Sequence, residues 1–119
     1  MEFNEYIKQC HNTAFEKGFH KDEMVILTKL KFGTQLTDKE IKAVQKAFVS
    51  QKLALIHSEI SEALEELRKD ESPAEEIADV FIRLFDMCGA YTLFDDMETT
   101  VRGKMDKNIK RPYKHGKEF

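Results

Sequence analysis

Apolar residues recur along this chain at helical spacing, and breaker residues divide the pattern into segments. Over residues 3–17 they fall at Phe3, Tyr6, Ile7, Cys10, Ala14 and Phe15, the one-sided stripe of an amphipathic helix. Gly18 is a natural stop. The run MVILTKLKF fits a short helix or a buried strand. No partner strand is readable elsewhere, so a helix is expected at 22–31, ended by Gly33. Thr37-Asp38-Lys39-Glu40 has the form of a capping box, with a Thr N-cap and Glu three residues later. Ile41, Val44, Phe48, Leu53, Ile56, Ile60, Ala63, Leu64 and Leu67 follow, and no Gly or Pro interrupts before Pro73. This predicts one helix over 38–69, or two with a kink near Ser50. Ser72-Pro73-Ala74-Glu75 starts the next, with Ser as N-cap, Pro at N1 and Glu at N3. Ile77, Val80, Phe81, Leu84, Met87 and Cys88 then form a wide stripe over 73–90, with Gly89 near its end. Asp95-Asp96-Met97-Glu98 opens a last helix at 96–109 with Met97, Val101, Met105 and Ile109 on one face, and Pro112 stops it. Residues 110–119 read as an irregular basic tail.

No strand–turn–strand signature or repeat is present, so the expected fold is all-α: four main helices and a fifth short one in a single domain, 1–119. A chain of 119 residues keeps much surface relative to its core. Its wide stripes therefore predict a homodimer, or a tetramer built on dimers. Composition adds that 34% of residues are charged and 41% apolar, as in water-soluble domains. No apolar run is long enough for a membrane span. The charged start MEFNEYIKQC lacks the apolar core of a secretory signal, and a cytoplasmic location is expected. Cys10 and Cys88 lie in different predicted helices without metal-ligand spacing and read as free thiols.

Charge changes the picture through its distribution. The net charge is only −3, which argues against a nucleic-acid partner. Yet Glu59, Glu62, Glu65, Glu66, Asp70, Glu71, Glu75, Glu76 and Asp79 crowd residues 58–79, against Arg68 and Lys69 alone. The end of the chain runs the other way, with Arg102, Lys104, Lys107, Lys110, Arg111, Lys114 and Lys117. Residues three apart share a helix face, so Glu59/Glu62 and Glu76/Asp79 each present two carboxylates together. At about 100° per residue, Glu59 lies roughly 60° from Ile56 and roughly 40° from Ala63, at the border of the apolar stripe. Glu76, Asp79 and Arg83 flank the Ile77/Phe81/Leu84 stripe in the same way. Antiparallel packing of the two helices would bring all four acids together. The other acids lack this pairing and read as solvated or capping.

Four converging carboxylates repel unless a cation sits among them. All-oxygen ligands favour Mg²⁺ or Mn²⁺. A ferritin-like di-iron site calls for Glu-x-x-His, and the fourth positions here are Glu62 and Asp79. His57 precedes Glu59 by two and points elsewhere. Mg²⁺ shares substrate phosphates, so the acidic pair and the basic end together suggest phosphoester or phosphoanhydride hydrolysis. Lys104 and Asn108 share a face at i, i+4. Arg111, Tyr113, Lys114 and Lys117 follow, as candidates for gripping phosphate.

SEISEALEELR followed by EEIADVFIRLFD resembles the Glu-x-x-Glu, then Glu-x-x-Asp, signature of the all-α nucleoside triphosphate pyrophosphohydrolases, and within them the MazG-like proteins. Residues 63–75, between Glu62 and Glu76, suit the short linker of that group. KMDKNIKRPYKHGKEF resembles the Lys-x-x-x-Asn and Arg-Pro-Tyr ending of small single-domain members. The likeness covers about residues 50–119. It implies an all-α bundle and Mg²⁺-dependent splitting of a (deoxy)nucleoside triphosphate into monophosphate and pyrophosphate, in nucleotide-pool house-cleaning. By the same resemblance Glu59, Glu62, Glu76 and Asp79 hold metal and carry catalysis. Lys104, Asn108, Arg111 and Tyr113 face the substrate phosphates. The segment 20–50 is longer and more charged than the compact linker of that family. Two other readings compete: a relative acting on dUTP, dCTP or phosphoribosyl-ATP, and a non-catalytic helical module whose apolar stripes bind a partner.

Overall fold

A computed structural model describes residues 1–33, 36–91, 93, 94 and 96–113; the end of the basic tail, with Lys114 and Lys117, lies outside them. The described residues form five helices and no strand. They are α1 (Phe3–Glu16), α2 (Lys21–Gly33), α3 (Asp38–Arg68), α4 (Ala74–Ala90) and α5 (Met97–Lys110). The ambiguous MVILTKLKF segment is helical, as expected from its lack of a partner strand. Residues 38–68 form one continuous helix, which resolves the question of a kink near Ser50.

The caps explain the boundaries. Thr37 Oγ1 accepts from the Glu40 amide, and the Glu40 carboxylate accepts from the Thr37 amide, so the capping box is complete. α4 begins one residue later than expected. Pro73 occupies the capping position, and Ser72 Oγ reaches only the Ala74 amide at 3.3 Å. Asp96 caps α5 by accepting from the Glu98 and Thr99 amides. Gly18 has φ +82°, a left-handed geometry that glycine adopts without cost. The Phe19 amide then bonds the Ala14 carbonyl at 3.0 Å, and the chain turns sharply into α2. After α3, Asp70 takes the left-handed position (φ 58°). The Glu71 amide bonds back to the Glu66 carbonyl at 2.9 Å, closing the helix end in Schellman fashion.

α4 is the central element, packed against α1 on one side and α3 on the other, while α2 and α5 touch their neighbours sparingly. On the α1 side, Phe85 meets the edge of Phe3 at 5.3 Å and stacks on Tyr6 at 5.4 Å. The buried core consists of Val49, Ile56, Met87 and Tyr91, joined by Phe48, Val80, Leu84, Leu93 and Phe94. It is thin. Leu53, Ile60, Leu64 and Leu67 of α3 and Phe81 and Ile82 of α4 stay largely exposed. The chain exposes 9497 Å², where a compact monomer of 13.9 kDa would expose about 6,700 Å². Its radius of gyration is 17.8 Å, against about 13.5 Å for a compact domain of this length.

Candidate functional site

The α3–α4 pair carries the four acids singled out by spacing, and the structure treats them unequally. Glu59 is mostly buried, and its Oε1 takes an ion pair from Arg83 at 3.2 Å. Arg83 is one turn beyond Asp79 on α4, so Glu59, Asp79 and Arg83 occupy the same side of the helix pair. Asp79 is exposed and lines a cavity. Glu76 is half-buried and Glu62 exposed. Glu66 stands close to Glu71 at the end of α3. A side-chain hydrogen bond with Glu71 is the main reason its carboxyl is held above the usual range, with burial and the charges of Glu71 and Glu76 adding.

The cavity, about 400 Å³, opens between α1, α3 and α4. Its walls are mixed in character. Cys10, Ala14, Phe19, Ile56 and Ile82 give apolar lining, and Lys52, Asp79, Arg83 and Asp86 supply charge. Such a space, mostly apolar with a few placed charges, is the usual form of a small-molecule site. Lys104, Asn108, Arg111 and Tyr113 are exposed and do not line it. Within one chain the proposed phosphate clamp of the carboxyl-terminal helix and the acids of α3–α4 are not brought together.

A polar network that periodicity did not reveal lies beside the cavity. Among the described residues, the metal-ligating atoms that converge within 4.8 Å belong to His11, His20 and Asp86, not to the four acids. His11 Nδ1 lies 3.0 Å from Asp86 Oδ1, and His20 Nε2 lies 2.8 and 2.9 Å from the two Asp86 oxygens. The far side of the His20 ring faces Glu23, with Nδ1 3.4 Å from Oε2. The Tyr91 hydroxyl donates to Glu23 Oε2 at 2.5 Å, and the Lys52 ammonium lies 3.3 Å from Oε1.

Local structure places each member. The Gly18 turn drops His20, 4% exposed, against α4. Asp86 lies two turns after Asp79 on the same face of α4. His11 reaches Asp86 because α1 and α4 approach closely at Gly89, where a Cβ would stand 2.9 Å from His11 Cβ. The electrostatics follow from the contacts. Burial alone pushes the Glu23 carboxyl up, but Tyr91, Lys52 and His20 together outweigh it and hold it below the usual range. Burial and the bond to Glu23 drive the Tyr91 hydroxyl far upward, so it stays a donor. Burial also raises the free thiols of Cys10 and Cys88.

Sequence did hold a faint signal for this network. His20 and Glu23 are i, i+3, and Asp86 continues the Asp79/Arg83 face. Nothing in the pattern linked α1 to α4 at His11. No family model, curated protein or solved structure matches the chain.

Proposed function

We propose that the protein is a Mg²⁺-dependent nucleoside triphosphate pyrophosphohydrolase, with its substrate in the cavity between α1, α3 and α4. The observation that carries this reading is the mixed lining of that cavity, where apolar side chains stand beside Asp79, Arg83 and Lys52. The apolar lining offers a place for a nucleobase against Phe19, Ile56 and Ile82. Arg83 offers positive charge to phosphate oxygens, and Lys52, paired with Glu23, adds to the positive field of that wall.

The donor set suits a hard cation. Glu59, Glu62, Glu76 and Asp79 supply carboxylate oxygens alone, and Glu59 already faces a positive group in Arg83. In this reading Glu59, Glu62, Glu76 and Asp79 would hold the ion. Mg²⁺, when bound, supplies neutralisation of phosphate charge and a water of lowered pKa. Arg83, which pairs with Glu59 here, would meet the phosphates once a cation occupies that carboxylate. Ile56 and Ile82 exclude bulk water beside the base.

The reading includes a homodimer. The exposed apolar residues of α3 and α4, and a surface well above that of a compact monomer, support burial against a second copy. Lys104, Asn108, Arg111 and Tyr113 join the phosphate site across that interface or not at all. A cytoplasmic, nucleotide house-cleaning role belongs to the same reading; no helix is long and apolar enough to cross a membrane.

The test is pyrophosphate release from a panel of standard and modified (deoxy)nucleoside triphosphates with Mg²⁺. Glu59→Gln and Asp79→Asn should each lower the rate by about 100-fold or more. Activity that survives both substitutions sinks the site assignment. A second reading, a non-catalytic helical module, draws on the four acids not converging within one chain. It gains if calorimetry finds no Mg²⁺ or Mn²⁺ binding and no triphosphate is split.

A further inference from the structure

We propose that His11, His20 and Asp86 form a binding site for a divalent transition-metal ion of the zinc class, separate from the set Glu59, Glu62, Glu76 and Asp79. Two imidazoles and one carboxylate are a borderline nitrogen–oxygen donor set, which suits Zn²⁺ and its neighbours better than Mg²⁺. Their atoms are already near the right separation. Ligands about 2.0–2.1 Å from a tetrahedral ion stand roughly 3.3 Å apart, and the imidazole nitrogens lie 2.8–3.0 Å from Asp86 oxygens. All three ligand atoms lie within 4.8 Å of one another, so side-chain rotation alone brings them around one ion.

His20 supplies the more telling observation. Both of its ring nitrogens face carboxylates, Nε2 toward Asp86 and Nδ1 toward Glu23. A neutral imidazole carries one N–H and satisfies only one of these contacts by donation. With a metal on Nε2, the proton sits on Nδ1 and points to Glu23, and both are satisfied. Glu23 is held for this task by Tyr91 and Lys52. A carboxylate that orients a ligating histidine from behind is the usual outer support of such sites. The three ligands come from α1, the α1–α2 turn and α4. The ion therefore ties the amino-terminal helices to the centre of the fold and leaves a coordination position for water. Asp86 and Asp79 are seven residues apart on α4, about 10 Å along its axis, so the two sites can be tested separately.

The experiment is titration of chelator-treated, tag-free full chain with Zn²⁺, followed by calorimetry and by thermal unfolding, with Mg²⁺ in parallel. Zn²⁺ should bind once per chain and raise the unfolding temperature, by on the order of 10 °C at a hundred times Kd. Co²⁺ in its place should give visible absorption bands. Asp86→Asn and His11→Ala should weaken Zn²⁺ by more than about 100-fold, and Glu23→Gln by roughly 10-fold. Glu59→Gln and Asp79→Asn should leave Zn²⁺ affinity unchanged. Circular dichroism checks that each variant folds. If Asp86→Asn does not, the half-buried His11 decides through His11→Ala. Absence of Zn²⁺ binding to the wild-type chain overturns the proposal, as does binding that persists in His11→Ala. Loss of binding in Glu59→Gln or Asp79→Asn alone assigns the ion to the acidic pair and also overturns it.

Discussion

Gly89 and Gly103 both lie inside helices, yet a methyl group would meet opposite surroundings at the two positions. At Gly89 a Cβ falls 2.9 Å from His11 Cβ and 3.1 Å from Ile7 Cγ2, while at Gly103 nothing lies within 4 Å. Gly89→Ala must push α1 off α4, and overpacking of this kind costs about 1–3 kcal/mol. Gly103→Ala removes the entropic cost of glycine in a helix and should stabilise by about 0.5–1 kcal/mol. Urea unfolding of the two variants checks both signs. This contrast was not readable in the sequence, where Gly89 marks only the approach of a helix end. The same holds for His11 and His20, whose importance arises from a pairing of α1 with α4. Glu59, Asp79 and Arg83 were readable as residues bordering the apolar stripes, because that placement follows from helical period alone. That Arg83 sits on Glu59 depends on how the two helices are set against each other.

At the scale of elements, local chemistry was a sound guide. The Thr37–Glu40 capping box and the Asp96 cap are present as their spacing predicted. The five helices keep their predicted bounds to within a residue or two, since caps and breakers act within a few residues of chain. Asp96→Ala removes the acceptor for two amides of α5 and should cost about 1 kcal/mol, seen as a lower urea midpoint. Bonds from the Thr37 amide and hydroxyl hold the Glu40 carboxyl below its usual range. A carboxyl whose folded pKa is depressed stabilises the fold above its unfolded pKa. That contribution fades as pH falls through the folded value. The start of α3 should therefore loosen with acid below the ordinary glutamate range. In Glu40→Gln this part of the pH dependence should disappear from a helicity titration.

The whole molecule is longer and more open than its mass requires, and exposed apolar side chains lie along both α3 and α4. Leu64 of α3 and Phe81 of α4 are each about half exposed. Placing a charge there should convert the expected dimer to monomer. Leu64→Lys or Phe81→Glu should roughly halve the mass measured by light scattering. The wild-type unfolding temperature should rise with protein concentration, as it does when association stabilises the fold. A wild-type chain that runs as a monomer at all concentrations refutes this. The dimer is an expectation from the width of the apolar stripes, and the light-scattering mass decides it. The cavity was not foreseeable, because its lining draws on residues from Cys10 to Asp86 that only the packed helices bring together.

The central position of α4 has a consequence for the order in which the chain assembles. Its contacts with α3 cross only the short turn at residues 69–73, so they close at little entropic cost. Its contacts with α1 join residues about 75 positions apart, as in the pairing of His11 with Asp86, and close later. The α3–α4 hairpin is then the seed, and the amino-terminal pair docks onto it. Native-state hydrogen exchange should record the reverse sequence. Amides of α1 and α2 should open together in a partial unfolding that leaves α3 and α4 protected.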